Sequence, residues 1–337
     1  VLKPAETTSL TALRLAEIFA EAGLPDGVVN IITGAGATGS ALVNHPDVDK
    51  IAFTGSTEVG KAIAKAIAGR AALPRGLSDA DAQQRVPTKS PKLTLELGGK
   101  AANIVFEDAP LDQAIEGVIA GIYFNQGHVC CAGSRLLMHE SIADRLIAKL
   151  RTRMEKLRVG SPLDKSVDMG AIVAPVQLER IRGLVAQGTK EGAQCWQPSW
   201  AVPKDGSFYP PTLFTNVAPS STIAQVEIFG PVLSVIRVAS VDEAFAVNNG
   251  VRYGLSSSVY TRNVHVAFRA LQELDNGITY VNAPTIGAEA HLPFGGVKQT
   301  GNGHREGGWE VYEFYSETKV GYVDFSGALQ RAQIDNY

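Results

Sequence analysis

Between Val28 and Ile67 the chain alternates short apolar runs with helix-type segments, and glycines stand at the joints. Val28–Ile32 reads as a strand, Ala37–Asn44 as a helix, Lys50–Phe53 as a strand and Thr57–Ile67 as a helix. A helix between two strands carries the chain back to the end where it started, so the strands run parallel. The pattern therefore predicts an α/β fold with a parallel sheet.

The rest of the chain extends this reading. Ser9–Ala22 is an amphipathic helix with Leu10, Leu13, Ile18 and Phe19 sharing much of one face, and Gly23 stops it. Strands are expected at Leu93–Leu97 and Asn103–Phe106, then helices at Leu111–Phe124, Ser141–Leu157 and Val176–Ala186. Strands at Leu233–Val238, Ser257–Tyr260 and Ile278–Val281, with helices Asp242–Asn249 and His265–Leu274 between them, make a second α/β unit. Arg70–Lys92 breaks the rhythm: two prolines flank a polar stretch, read as a loop with a short helix around Asp79–Gln84. The tail Ser316–Asp324 is strand-like with no helix after it, so it is expected to pair outside its own domain; Gly327–Tyr337 is polar and expected to be loose.

At 337 residues there is room for two domains with their own cores. The 45% hydrophobic and 19% charged content suits a soluble globular protein. A net charge of −3 does not recruit nucleic acid or an anionic membrane surface. Three cysteines without framework spacing point to a reducing compartment, and no signal peptide or membrane-length apolar run is read, so the expected location is the cytoplasm. The first residue is Val1, not Met, and the expectation is a processed or truncated chain.

Chemistry concentrates in Phe124–Arg135, FNQGHVCCAGSR. Cys130 and Cys131 stand side by side in a polar, glycine-containing turn. A thiolate is a nucleophile, and the N–H groups of such a loop are expected to lower its pKa. A pair of inert small hydrophobes at a loop edge accounts for the same letters. Four other segments carry paired readings. Gly34-Ala35-Gly36-Ala37-Thr38-Gly39 has the dinucleotide-loop spacing, although tight turns alone explain it. Phe53-Thr54-Gly55-Ser56 is a strand-to-helix turn suited to a phosphate, or an ordinary serine cap. Glu96 sits between Leu95 and Leu97, where apolar neighbours raise a carboxyl pKa and suit it to act as a base; a surface Glu on an alternating strand is the plainer reading. Glu227-Ile228-Phe229-Gly230-Pro231 offers an acid for a ribose diol and a ring for a planar cofactor, or simply a surface acid beside a core ring. Pro293-Phe294-Gly295-Gly296 is a loop against a pocket, or a turn. The six histidines show no metal-ligand spacing, and no metal is expected.

Taken in order, KPAE at Lys3–Glu6, FTGSTEVG, LELGGK, FNQGHVCCAGSR, EIFGPV and PFGG resemble the aldehyde dehydrogenase superfamily. The likeness covers nearly the whole chain except Arg70–Lys92, which reads as an insertion. That insertion and the segment His304–Trp309 are similar to bacterial members of aldehyde dehydrogenase family 16. The resemblance implies an incomplete Rossmann-like nucleotide-binding domain over 1–97, its first strands absent, an α/β catalytic domain over 98–300, and a segment 301–337 with an oligomerisation strand. It implies NAD in preference to NADP, since Glu6 would repel a 2′-phosphate. The implied cofactor contacts are Lys3, Glu6, Gly36, Phe53, Gly55, Ser56, Val59, Gly60, Glu227 and Phe229. Cys130 is the implied nucleophile and Glu96 the implied general base, with Phe124 and Phe294 at the substrate pocket. Cys131 is implied to be a bystander. The implied reaction is oxidation of an aldehyde to an acid through a thiohemiacetal and a thioester, in a homodimer or homotetramer.

The chain also departs from the family pattern. The side-chain amide of the family's oxyanion site would lie upstream of Lys3. His128 and Val129 stand where Gln and Cys are common, and Val226 where an acid is common; these bear on substrate preference. Two other classes stay open. One is a non-catalytic scaffold that keeps the fold. The other is a cysteine enzyme that passes its acyl group to coenzyme A, against which Glu96 argues, because transfer to a thiol needs no activated water.

Overall fold

The computed structural model describes residues 1–68 and 91–327. The expected helix around Asp79–Gln84 and most of the terminal segment 327–337 lie outside the described residues. Two sheets organise the molecule, together with a separate short antiparallel pair.

The first sheet is small. Strands β1 (Lys50–Thr54) and β2 (Lys92–Glu96) pair in parallel, with Phe53 beside Leu95 and Thr54 beside Glu96. Helix α1 (Ser9–Glu21) buries no residue. Helices α2 (Gly36–Asn44) and α3 (Thr57–Ile67) follow, and Val43, Ile63 and Ile67 pack with Ile51, Phe53 and Leu93 into a minor core. The expected strand at Val28–Ile32 does not form. Only a single bridge joins Ile31 to Leu2. The apolar run is real, but among the described residues it has no longer partner to pair with, and a strand exists only as part of a ladder.

The second sheet has seven strands in the order β10-β9-β3-β4-β7-β6-β5. These are β3 (Ala102–Val105), β4 (Arg135–His139), β5 (Gln194–Trp196), β6 (Thr212–Thr215), β7 (Val232–Val238), β9 (Ser256–Tyr260) and β10 (Ile278–Val281). All neighbours are parallel except β5, which closes one edge antiparallel to β6. Successive side chains point to opposite faces. Thus Leu136 and Met138 enter the core formed with α4 (Leu111–Tyr123) and α5 (Ala143–Met154). Leu137 enters the opposite core, formed with α6 (Pro175–Lys190), α8 (Val241–Asn249) and α9 (Val264–Glu273). The short helix α7 (Thr222–Gln225) precedes β7. Helices on both faces are what a buried parallel sheet requires.

A third pair, β8 (Tyr253–Gly254) with β11 (Val297–Lys298), is antiparallel and precedes the short helix α10 (Glu310–Tyr315). The tail Ser316–Asp324 forms no ladder among the described residues, and Val320, Tyr322 and Val323 are exposed. No helix among the described residues is long and apolar enough to cross a membrane.

This topology places the site. Gly98–Lys100 leads into β3, Cys130 lies just before β4, and Glu227 just before β7. The three strands are parallel, so their leading loops share one end of the large sheet. Glu96 ends β2 and Gly55–Ser56 follows β1, so the carboxyl ends of the small sheet lead into the same chemistry.

Candidate active site

Gly99 joins the three loops. Its N–H donates to Glu227 Oε1 at 2.9 Å. Its α-carbon faces the Cys130 carbonyl so closely that a side chain there would overlap that oxygen. Glycine is required here by close approach of backbone to backbone.

The Cys130 loop is shaped by three consecutive left-handed residues, Asn125 (φ 48°), Gln126 (φ 57°) and Gly127 (φ 73°). Two of them are not glycine, and their strain is held by specific bonds. The Asn125 amide donates to the His128 carbonyl at 3.1 Å, and Gln126 Oε1 accepts from the Gly170 N–H at 2.9 Å. Behind the turn, Gly133 N–H donates to the Gly121 carbonyl of α4 at 2.9 Å. Cys130 is half-buried and Cys131 is buried. The expected lowering of the Cys130 pKa is not what the structure gives. Its thiol is raised, first by the hydrogen bond to the Cys131 sulfur, then by burial, and then by negative charge at Cys131 and Glu227. The same thiol–thiol bond lowers Cys131. A backbone N–H of Cys131 does act on Cys130 in the expected direction, but it is outweighed.

Glu96 is buried, and Oε2 has no hydrogen-bond partner. Its pKa is raised to about 8, by burial first and by the nearby Glu306 second, with Arg305 opposing both. Gly295 (φ 151°) forms the wall beside it: a β-carbon there would come within 2.9 Å of both Glu96 Oε1 and Arg305 Cδ. Arg305 is fixed by donation to the Gly296 carbonyl at 3.0 Å. Glu306 is itself raised by burial and lowered by Lys50. Its backbone pairs with that of Phe294.

Glu227 is raised by burial, and the Gly99 N–H and the charges of Lys100 and Arg180 oppose that. Phe229 also has a left-handed backbone (φ 57°) and stacks on His128 at 5.2 Å, with the rings 8° from parallel. Gln177 fixes this turn through the carbonyls of Ile228 (3.0 Å) and Phe229 (2.9 Å). The remaining expected contacts divide. Ser56 caps α3, its hydroxyl accepting from the Val59 N–H at 3.3 Å. The Phe53 ring lies over Gly55, and buried Gly60 lets α3 approach Leu97. Val59 is exposed. Lys3 donates to the Gly34 carbonyl at 2.7 Å, beside the turn that contains Gly36, while Glu6 is exposed in the turn before α1. Lys3, Glu6 and Gly36 thus form a separate group around α1 and α2. Phe124 is exposed and Phe294 half-buried.

Sequence reasoning missed Glu306, Arg305, Lys100 and Tyr253. Glu306 and Arg305 lie in the segment His304–Trp309, and Lys100 in LELGGK, so the letters were visible. Their roles depend on packing that no local pattern encodes.

Residues 1–320 match the model of the aldehyde dehydrogenase family. The chain belongs to the aldehyde dehydrogenase family. An aldehyde dehydrogenase of Emericella nidulans is 40% identical over 98% of this chain and 62% of its own length. The mouse protein named aldehyde dehydrogenase, cytosolic 1, is 41% identical over 95% of this chain and 60% of its own. The crystal structure of an NAD-dependent aldehyde dehydrogenase from Sinorhizobium meliloti superposes with a TM-score of 0.86 at 37% identity, covering 98% of this chain and 62% of that one. Betaine aldehyde dehydrogenase of Staphylococcus aureus, solved in complex with NAD+, gives 0.82 at 35% identity, covering 93% of this chain and 59% of that one. The aldehyde dehydrogenase fold is thereby established for this chain. The chain spans about three-fifths of the length of the curated relatives it matches.

Proposed function

We propose that this chain carries the nucleophile, the general base and the nicotinamide-side contacts of an NAD-dependent aldehyde dehydrogenase, acting as part of a longer polypeptide. The observation that carries the reading is the meeting of Cys130, Gly99 and Glu227 at one end of the large sheet, with Glu96 at the end of β2.

The residues fit a dinucleotide. The α3 N-terminus behind Gly55 and Ser56 presents N–H groups suited to a pyrophosphate. Glu227 offers a carboxylate to a ribose diol, and Phe229 offers a ring to the nicotinamide. Lys3 and Glu6 suit the adenine ribose, and Glu6 disfavours a 2′-phosphate, so NAD is the cofactor in preference to NADP. When bound, the dinucleotide supplies the hydride acceptor.

The chain's own groups do the rest. Cys130 gives its thiol proton to solvent and attacks the aldehyde carbon as the thiolate; the C–S bond forms as the carbonyl π bond opens to an oxyanion held by the Cys130 N–H. Oxidation of that thiohemiacetal leaves a thioester on Cys130. Glu96 takes a proton from water, the hydroxide attacks the thioester carbon, and the carboxylic acid leaves as the Cys130 thiolate reforms. Residues 1–97 form the nucleotide-binding part, 98–300 the catalytic part, and 301–337 supplies a strand to a homo-oligomer in the cytoplasm.

The test uses the full-length polypeptide with NAD and a panel of aldehydes, following NADH with and without coenzyme A. NADH formation without coenzyme A supports the reading. NADH only with coenzyme A means acyl transfer instead, and none in any well means a non-catalytic scaffold.

A further inference from the structure

Beside the Gly98–Gly99 turn lies a small polar cavity that the chemistry above does not use. It is lined by Lys100, Arg135, Asn248, Tyr253, Ser257 and Asn276 among others, and has about 10 Å³ of space for a water centre. That is close to the least room one water molecule needs.

Most of the polar groups around it are already engaged. Arg135, fully buried, donates to the carbonyls of Lys100 (2.9 Å), Val247 (2.9 Å) and Asn248 (3.1 Å). Asn248 Oδ1 accepts from the Ser257 hydroxyl at 2.7 Å. Asp275, which also lines the cavity, pairs its carboxylate with Lys298 at 3.2 Å. The Asn276 amide donates to the Ile278 carbonyl at 2.8 Å and to Thr279 Oγ1 at 2.7 Å. Two buried atoms are left without partners, Lys100 Nζ and Asn276 Oδ1. One is a donor and the other an acceptor. Leaving such atoms dry costs roughly 1–3 kcal/mol each, so a polar cavity of this size takes up water.

The cavity also adjoins the cofactor acid. Tyr253 lines it, and a β-carbon on Gly98 would lie 3.1 Å from the Tyr253 ring while overlapping the Glu227 carboxylate. Lys100 follows Gly99, whose N–H holds Glu227. Burial and Arg135 both push the Lys100 ammonium down, to about 7, while the Glu227 charge supports it. Lys100 in turn lowers Glu227.

We propose that Lys100 is a positioning residue for Glu227: one water shared by Lys100 Nζ and Asn276 Oδ1 anchors the Lys100 side chain in the cavity and so holds the adjoining Gly98–Gly99 turn where the Gly99 N–H meets the Glu227 carboxylate. The inference rests on the cofactor role of Glu227 proposed above. Lys100 touches neither substrate nor cofactor.

Two measurements on the full-length polypeptide test it. The first is a high-resolution crystal structure, in which one ordered water bridges Lys100 Nζ and Asn276 Oδ1. A dry cavity there overturns the water. The second compares the wild type with Lys100→Met, which keeps the shape and removes the charge. The expected change is a rise of about tenfold in the NAD Kd and KM, with kcat at saturating NAD within about twofold of wild type. A proportionate fall in kcat with unchanged KM means Lys100 is only structural and overturns the positioning role, as does no change at all. If the wild type itself neither binds NAD nor forms NADH, the functional reading fails first. If the wild type works and the variant does not differ, only the positioning role fails. Should Lys100→Met not fold, the bridging water and the NAD KM of Asn276→Asp, which keeps the acceptor oxygen and adds a charge beside Lys100, decide the matter: a changed KM with kcat retained supports the role, and an unchanged KM contradicts it.

Discussion

Gly99 and Glu227, far apart in sequence, are joined by a 2.9 Å hydrogen bond from the Gly99 N–H to the carboxylate. The same glycine lies against the Cys130 carbonyl. One residue without a side chain therefore sets the distance between the proposed nucleophile and the proposed ribose acid. Gly99→Ala must push β3's leading turn away from Cys130. Overpacking of this kind costs about 1–3 kcal/mol, and the Gly99–Glu227 bond lengthens with it. The expected outcome is a lower melting temperature together with a raised KM for NAD, measured by thermal unfolding and by steady-state kinetics.

Cys130→Ala abolishes turnover, and Cys131→Ala does not. The second variant carries a sharper consequence. The largest influence raising the Cys130 thiol is its bond to Cys131, so removing that partner lowers the Cys130 pKa. The alkylation rate of Cys130 by iodoacetamide, followed against pH, then reaches its midpoint at lower pH in Cys131→Ala than in the wild type. A midpoint moved upward contradicts the account.

Glu96 has a pKa of about 8, and a base works only when ionised. Below that value the carboxyl keeps its proton, so a rate limited by thioester hydrolysis rises with pH and levels off above about 8. Glu306 adds to the upward shift and Arg305 opposes it. Glu306→Gln therefore moves the limb to lower pH, and Arg305→Met moves it higher. Pre-steady-state measurement of acid release across pH checks both signs.

Ser56→Ala removes the cap of α3, and loss of such a cap costs about 1 kcal/mol. It leaves the reacting groups in place. The expected result is a modest loss of stability and a rise in the KM for NAD with kcat retained, read by thermal unfolding and initial rates.

The letters of the sequence were sufficient for much of the large sheet because those strands are locally written. β3, β7, β9 and β10 are short strand-forming runs bounded by turns, and the candidate residues Cys130, Glu96 and Glu227 each stand in a compact segment. Other features depend on partners far away in the chain. Val28–Ile32 has the composition of a strand but finds only Leu2 opposite Ile31. β5 and β6 were missed because Gln194–Trp196 and Thr212–Thr215 are short and lack a clear period. The direction of the Cys130 shift was misread because loop N–H groups were counted and the neighbouring thiol was not. The Lys100–Asn276 cavity is assembled from β3's leading turn and the turn before β10, and no single segment announces it.

The most direct test of the account is to trap the covalent intermediate. The full-length Glu96→Gln polypeptide is mixed with NAD and an aldehyde that the wild type oxidises, quenched in acid, digested and mapped by mass spectrometry. The account predicts one NADH per active site followed by a stalled acyl group on the peptide at Cys130. An acyl group on Cys131, or full turnover without any trapped thioester, would contradict it.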